Sequence, residues 1–393
     1  MSAVEMKRSV RGFAQKTVLV LGFVSGFAAT AVQGETLADA LAGAYQNSGL
    51  IDQNRAVMRE ADEDVATAAS ALKPVLEYSA AITNRFGNQR ALLGSSDINT
   101  TEADASLIAS LLLYDGGAAR LNTEASKEIV LATRQQLVSI EQQVLINAVS
   151  VYMSVYALRD LVDLRENSLR LLQEELRAAQ DRFEVGEVTR TDVAQAEASV
   201  ALARSELATA QGDLQQSIEQ YVNVVGRQPG PLAPPPNLPQ FTSNVESARA
   251  AAIQSHPDNL SAQHRVAAAE LNILRAEATL NPTVSAFGSI GLTEDLGSSN
   301  YSNIGSIGVE LRGPIYQGGA LSSGIRRAIA SRDQELGSLY EARKQVSQDV
   351  GSAYAGLAAR RASLVASEER IRAAGIAFRG VREEASLGAR TTL

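Results

Sequence analysis

Residue types that could do covalent or acid–base chemistry are scarce in this chain of 393 residues. It has no Cys and two His, His256 and His264. Thiolate nucleophiles are therefore excluded, and His-rich metal sites nearly so. Both His fall in a stretch with helical patterning and read as surface or packing residues. The Asp and Glu side chains are scattered along helical stretches, the pattern of solvated faces. No G-x-S-x-G elbow, P-loop or H-E-x-x-H occurs. The sequence reads as a non-enzyme, with no metal and no cofactor. Its most distinctive spacing belongs instead to Gly and Pro. "LYDGGAAR" at 113–120 returns as "IYQGGALS" at 315–322, and Pro74 returns as Pro282. Such residues shape a backbone rather than attack a substrate.

The elements around them repeat in order. A slide of 208 residues lays "AASALKPVLEYSAAI" (68–82) on "AEATLNPTVSAFGSI" (276–290). A slide of 202 lays Gly116 and Gly117 on Gly318 and Gly319, Tyr152 on Tyr354, and Gly186 on Gly388. Two structural repeats are expected, 35–225 and 241–393. They are joined at 226–240 by "GRQPGPLAPPPNLPQ", which cannot continue a helix. That junction reads equally as a flexible linker or an ordered extended strap. Each repeat is expected to run short helix, Pro, strand, loop, strand, Gly-Gly, very long helix, break, helix.

The long helices carry a seven-residue period. Val144, Ala148, Val151, Val155, Leu158, Val162, Leu169, Leu172 and Leu176 alternate spacings of three and four, with Arg165 as an interruption. Sustained over about five heptads, this pattern specifies a left-handed coiled coil. A helix from 118 to 185 would extend on the order of 100 Å. Between it and the return helix, "EVGEVTRTD" (184–192) offers Gly186 as a stop and Thr191 or Asp192 as a new N-cap. The second repeat's seam is more polar, broken by Arg343, Arg360 and Ser367. Only 5% of residues are aromatic and Trp is absent, which suits long helices better than a globular interior.

Other segments change to a period of two. Strands are expected at about 75–86, 103–114, 283–292 and 301–312. Leu76, Tyr78, Ala80 and Ile82 share one face and Glu77, Ser79 and Thr83 the other. This alternation is what a strand between lipid and a lumen requires, and a soluble hairpin packed on helices would show it too. The Gly-Gly pairs would let each such strand turn sharply into its helix. Four strands cannot enclose a lumen, so closure would need several copies of the chain.

The first 34 residues have a basic start (Lys7, Arg8, Arg11, Lys16), an apolar run over 17–32 and small residues before Glu35, the layout of a secretory signal peptide. Removing its net +3 from the whole-chain −8 leaves −11. An acidic exported chain without a basic patch is a poor nucleic-acid binder. After this segment no uninterrupted apolar run of spanning length appears, so entry into a membrane would be as a β-barrel.

At the level of the ordered set, "ETLADALAGAYQNSGLIDQNRAVMREADEDVATA" (35–68), "LYDGG", "RFEVGEVTRTDVAQAEA" (182–198), "IYQGG" and "LGARTTL" (387–393), the chain resembles the TolC-type outer membrane factor (outer membrane efflux protein) family. The resemblance implies a fold that is mainly α with transmembrane β, in which tandem-repeat helical hairpins and four strands per chain build a trimeric α-barrel/β-barrel tunnel. It implies a homotrimer in outer-membrane lipid, extending into the periplasm. It also implies a periplasmic adaptor (membrane fusion) protein and an inner-membrane transporter of RND, ABC or MFS type. The corresponding function is the passive exit duct of a tripartite efflux or type I secretion system. Site residues under this reading are the strand–helix corners Gly116, Gly117, Gly318, Gly319, Pro74 and Pro282, and the periplasmic tip turns Gly186 and Gly388. Asp192 and Arg390 stand where the family links neighbouring hairpins, with Ala385 in place of a Tyr that often joins the link. Asp192 as a plain helix cap is the competing role. The second repeat ends at Leu393, before a return helix, so a truncated chain is expected. The alternative function is an exported coiled-coil adaptor or structural protein, which would lack membrane strands.

Overall fold

The computed structural model describes residues 34–91 and 94–386. The expected signal segment therefore lies outside the described residues except for Gly34. The elements run α1 (Leu37–Asn47), α2 (Gly49–Ser70), β1 (Val75–Ala91), β2 (Gly94–Tyr114), α3 (Ala118–Glu184), α4 (Arg190–Val225), α5 (Val245–Ser255), α6 (Pro257–Ala278), β3 (Thr283–Asp295), β4 (Tyr301–Arg312) and α7 (Ala320–Ser386).

Where one short helix is expected before each Pro, there are two. Ser48 breaks the first pair and caps α2 by accepting from the Ile51 N–H. His256 breaks the second: its Nδ1 accepts from the Asp258 N–H at 3.3 Å, while Pro257 begins α6 without an amide hydrogen to give. His256 is thus a cap between helices. His264 lies within α6, and its Nδ1 is 2.7 Å from Glu128 Oε2 on α3.

The seven-residue seam closes as an antiparallel pair of α3 and α4. Ala148, Val151, Tyr152, Val155 and Val162 are buried from α3, facing Val200, Ala203, Ala210, Tyr221 and Val225 from α4. The interruption at Arg165 is bridged across the pair: Arg165 Nη1 donates to Glu206 Oε2 at 2.7 Å. With 67 residues, α3 is about 100 Å long by the helical rise. It also contains an 18-residue window of mean hydropathy 1.2, apolar enough by length and composition to cross a membrane. In the fold α3 packs on α1, α2, α4 and α6, so its apolar residues serve more than one neighbour.

All four strands join in one antiparallel sheet in chain order, β1-β2-β3-β4. The central β2–β3 pairing stitches the two halves of the chain together. The first hairpin runs past the expected 75–86 and 103–114, to Ala91 and from Gly94. Apolar alternation stops near Phe86, but pairing continues on polar side chains. Asn84 Nδ2 donates to Thr101 Oγ1 at 2.8 Å, and Arg85 lies 3.3 Å from Glu102. The third strand likewise reaches Asp295 rather than 292.

The segment after α4 starts as an ordered strap. Gly226 ends α4 in the left-handed conformation, at φ +86. Its carbonyls are then used: Arg159 donates to Gly230 O at 2.7 Å and Pro229 O at 3.1 Å. Tyr152 donates to both Glu35 O and Ala233 O. Glu35 is the hub. Its Oε1 accepts from Tyr221 at 2.7 Å and from Arg227 Nε and Nη2 at 2.9 and 2.7 Å, while Oε2 accepts from the Gly230 N–H at 3.2 Å. Burial first, then the hydrogen bond to Glu35, pushes the Tyr221 phenol up, and burial first, then the Glu35 charge, pushes Tyr152 up. The Glu35→Ala variant would remove the acceptor of the Tyr221 hydroxyl and of the Gly230 N–H and leave Arg227 with Asp39 O. It is expected to lose about 2–3 kcal/mol in denaturant unfolding and to expose the strap to protease.

Candidate functional site

The sheet has two chemically different faces. One presents Tyr78, Ile82 and Phe86 from β1 and Ile307 from β4, which are 86, 74, 82 and 92% exposed. Leu107 of β2 sits between Tyr78 and Ile290 on the same face. An apolar patch this continuous needs an apolar cover. The opposite face is mostly polar. Thr293 donates to Asp104 at 2.7 Å, Ser289 and Ser306 hydrogen-bond at 2.7 Å, and Arg312 donates to Glu310 at 2.7 Å. Phe287 and Ile304 interrupt this face; the Phe287 ring lies over Gly308, where a Cβ would come within 2.9 Å of it.

At one end of the sheet all four strands pass into helices. Gly116 and Gly117 have φ of +69 and +89, and Gly318 and Gly319 have +58 and +86, conformations that cost a side-chain-bearing residue strain. Pro74 and Pro282 stand just ahead of β1 and β3, after helix ends that bond alike: Lys73 N–H to Ser70 O at 2.9 Å and Asn281 N–H to Ala278 O at 3.0 Å. The sequence reading missed Asp115. Its Oδ1 accepts from the Gly117 N–H at 2.9 Å and its Oδ2 from the Ala119 N–H at 2.6 Å, capping α3. The signal was legible, an acidic side chain just before a helix start; the second repeat has Gln317 there.

At the far end of the hairpin, Gly186 turns the chain at φ +81 with its N–H on Phe183 O. The new N-cap is Thr189, not Thr191 or Asp192, and the pair forms a reciprocal capping box. Asp192 Oδ2 accepts from the Thr189 N–H and hydroxyl, both at 2.8 Å. "TRTD" holds that signature with Asp in the place of Glu. Gly388 and Arg390 lie outside the described residues, so the structure gives Asp192 its capping partners and leaves the Arg390 link unplaced. Among the described residues no group of three His, Asp or Glu is arranged to hold a metal ion.

The two Thr189 hydrogen bonds, the backbone one foremost, hold the Asp192 carboxyl below its ordinary 3.8. A depressed carboxylate stabilises the fold above its unfolded pKa, and that contribution fades as pH falls through the folded value. The stability difference between the wild type and Asp192→Asn should be constant from about pH 5 to 7 and shrink below about pH 3.8 in thermal melts. Removing the reciprocal partner in Thr189→Ala should cost about 1 kcal/mol.

A sheet with an apolar and a polar face, set on helices about 100 Å long, is the architecture of an outer-membrane duct subunit. Comparison with known proteins agrees. The outer membrane efflux protein family matches residues 41–227 and 248–393, and the chain belongs to it. It is 37% identical over 361 residues to the outer membrane efflux protein BepC of Brucella suis, covering 91% of this chain and 78% of that one. Outer membrane protein TolC of Escherichia coli is 25% identical over 387 residues, covering 94% and 77%. The fold matches that of the outer membrane protein VceC of Vibrio cholerae with a TM-score of 0.74 at 19% identity, covering 91% of this chain and 87% of that one. The chain therefore has the fold from which trimeric α-barrel/β-barrel tunnels are built, and it is an outer-membrane protein whose helices extend into the periplasm. The family is one of channels, not enzymes.

Proposed function

We propose that the chain is the passive exit duct of a tripartite efflux assembly, and that three copies close one barrel and one helical tunnel. In this reading, residues 35–225 and 241–393 are the two repeats, and the segment before Glu35 directs export. The observation that carries it is the division of the sheet into an apolar face and a hydrogen-bonded polar face at the end of helices far longer than a globular domain needs. An inner-membrane transporter, of RND, ABC or MFS type, and a periplasmic adaptor supply the energy and the substrate. The duct supplies a water-filled path bounded by the polar face. Efflux rather than type I secretion is favoured by the description of BepC, to which the identity is 37%. The hairpin turn, with Gly186 at its bend and Asp192 capping α4, lies at the periplasmic end, where opening takes place.

The faces can be tested one residue apart. Ile307→Arg puts a cation on the apolar face and should cost about 2–4 kcal/mol if that face meets mid-bilayer hydrocarbon. Its level in the outer-membrane fraction should collapse. Ser306→Arg, on the polar face, should leave that level near wild type and alter only conductance. Equal tolerance of both changes, or recovery of the wild type as a water-soluble protein, would overturn the reading.

A further inference from the structure

The first hairpin runs on beyond the apolar band. About 9–11 residues carry a tilted strand across hydrocarbon; counted from Val75, where β1 begins, they end at 83–85. The second hairpin turns over at that level. Tyr301, the first residue of β4, shares a rung with Ile82 through Ala103 and Glu294, and the Leu296 N–H in its turn donates to Thr101 O at 2.7 Å. β1 and β2 continue alone, as a two-stranded ribbon to Ala91 and from Gly94. A ribbon of this kind is marginal in water by itself.

Phe86 stands on this ribbon, on the face that carries Tyr78 and Ile82, and is 82% exposed. Its surroundings differ from theirs. Asn84 and Asn88 flank it along β1, Asn99 is directly opposite, and Asp97 and Thr101 are its diagonal neighbours. Asn84 is held by these partners: its Nδ2 donates to Thr101 Oγ1 at 2.8 Å and to Asn99 Oδ1 at 3.4 Å. An aromatic side chain at the edge of the apolar band is expected of a membrane strand, and Tyr301 fills that place with a polar tip. Phe86 has no polar tip and lies past the edge, among amides. Arg90, the next side chain outward on that face, and Asp97 bring one charge of each sign, so the strip has no net charge with which to select a phosphate.

An apolar ring bordered by amides and a hydroxyl matches the chemistry of a pyranose, which has C–H groups on its flat face and hydroxyls around its rim. We propose that the outward face of this ribbon, over 84–90 and 97–101, binds the sugar headgroup of a glycolipid in the outer leaflet. Phe86 lies under the sugar's flat face, and Asn84, Asn88 and Asn99 meet its hydroxyls. This rests on the duct reading, which puts this end of the sheet outside the cell, and adds a ligand to it. Continuity identifies the occupant. The strip prolongs the lipid-facing surface on the same side of the same strands, so the molecules within its reach are those whose acyl chains lie against Tyr78 and Ile82. Chains and headgroup then bind as two linked contacts, which a free sugar cannot do.

The chain has no Trp, so Phe86→Trp introduces a single indole that keeps a stacking surface. With the full chain in phospholipid vesicles, adding lipid A, whose headgroup is a glucosamine disaccharide, should shift the indole emission saturably and shield it from iodide. Asn84→Ala or Asn99→Ala in the same background should raise the midpoint of that titration roughly fivefold, as loss of one hydrogen bond implies. A second readout needs no indole: Phe86→Ala should keep several-fold less lipid A through detergent extraction than the wild type, by mass spectrometry, at an equal outer-membrane level. The Tyr78→Trp indole should be shielded from iodide with or without lipid A. The same shift in phospholipid alone would make Phe86 an aromatic of the interface only, and unchanged midpoints in both Asn variants would mean shielding without recognition. Either result overturns the proposal and leaves the duct intact. Free access of iodide to the Tyr78→Trp indole would remove the duct reading as well.

Discussion

Backbone hydrogen bonding at the two free edges of the sheet is the constraint on which everything else depends. β2 and β3 are paired on both sides, but β1 and β4 each have one edge with no strand paired to it among the described residues. In water such edges are solvated at little cost. Next to hydrocarbon each unpaired group costs several kcal/mol. The apolar side chains on one face place the sheet in hydrocarbon, so the edges have to be paired by other strands. A single chain of this sequence is physically incomplete as a membrane sheet, and assembly is a requirement of its insertion.

The rest of the molecule converts that closed sheet into a conduit. Positive-φ glycines turn strands into helices within a few residues, so that barrel wall and helical wall remain continuous. The long α3–α4 pair then carries the wall away from the membrane on a seam of small and branched residues, with Arg165 and Glu206 meeting at its polar step. Near the middle of the hairpin, the strap and Glu35 tie the start of α1 to the ends of α4, recruiting Tyr152, Tyr221, Arg159 and Arg227. A tall thin wall has little core, and this cross-brace concentrates buried polar bonds where the helices alone would slide. The second half of the chain is held more loosely: among the described residues α7 packs on α5, α6 and the segment before α5, where Tyr354 meets Phe241 and Thr242, and Leu364, Ile371 and Phe378 remain exposed.

Much of this was legible in the sequence because period is a direct image of environment. The seven-residue spacing from Val144 onward required a long helix with one buried seam, and the alternation from Leu76 required a two-faced strand. What escaped prediction was decided by single polar side chains rather than by period. Ser48 and His256 break helices that hydrophobic spacing alone would run together. Thr189 wins the cap because it stands three residues before Asp192, which puts that carboxylate at the position that reciprocates, whereas Thr191 is already inside the first turn. The extension of β1 and β2 past Phe86 rests on Asn, Arg, Thr and Glu pairs with no apolar signature. Glu35 binds residues almost two hundred positions away, Tyr221 and Arg227, and nothing local in the sequence announces such a contact. Asp115 was the readable omission, a capping carboxylate in plain view beside the glycines.

The central claim is that one face of this sheet meets lipid and the other water. Spin labels placed singly from residue 284 to 292 along β3, in the intact chain in outer-membrane vesicles, would test it most directly by accessibility to oxygen and to a water-soluble nickel reagent. The account gives a strict period of two: labels at 284, 286, 288, 290 and 292 respond to oxygen, and those at 285, 287, 289 and 291 to nickel. Uniform access to nickel along the strand, or a period near 3.6, would contradict it.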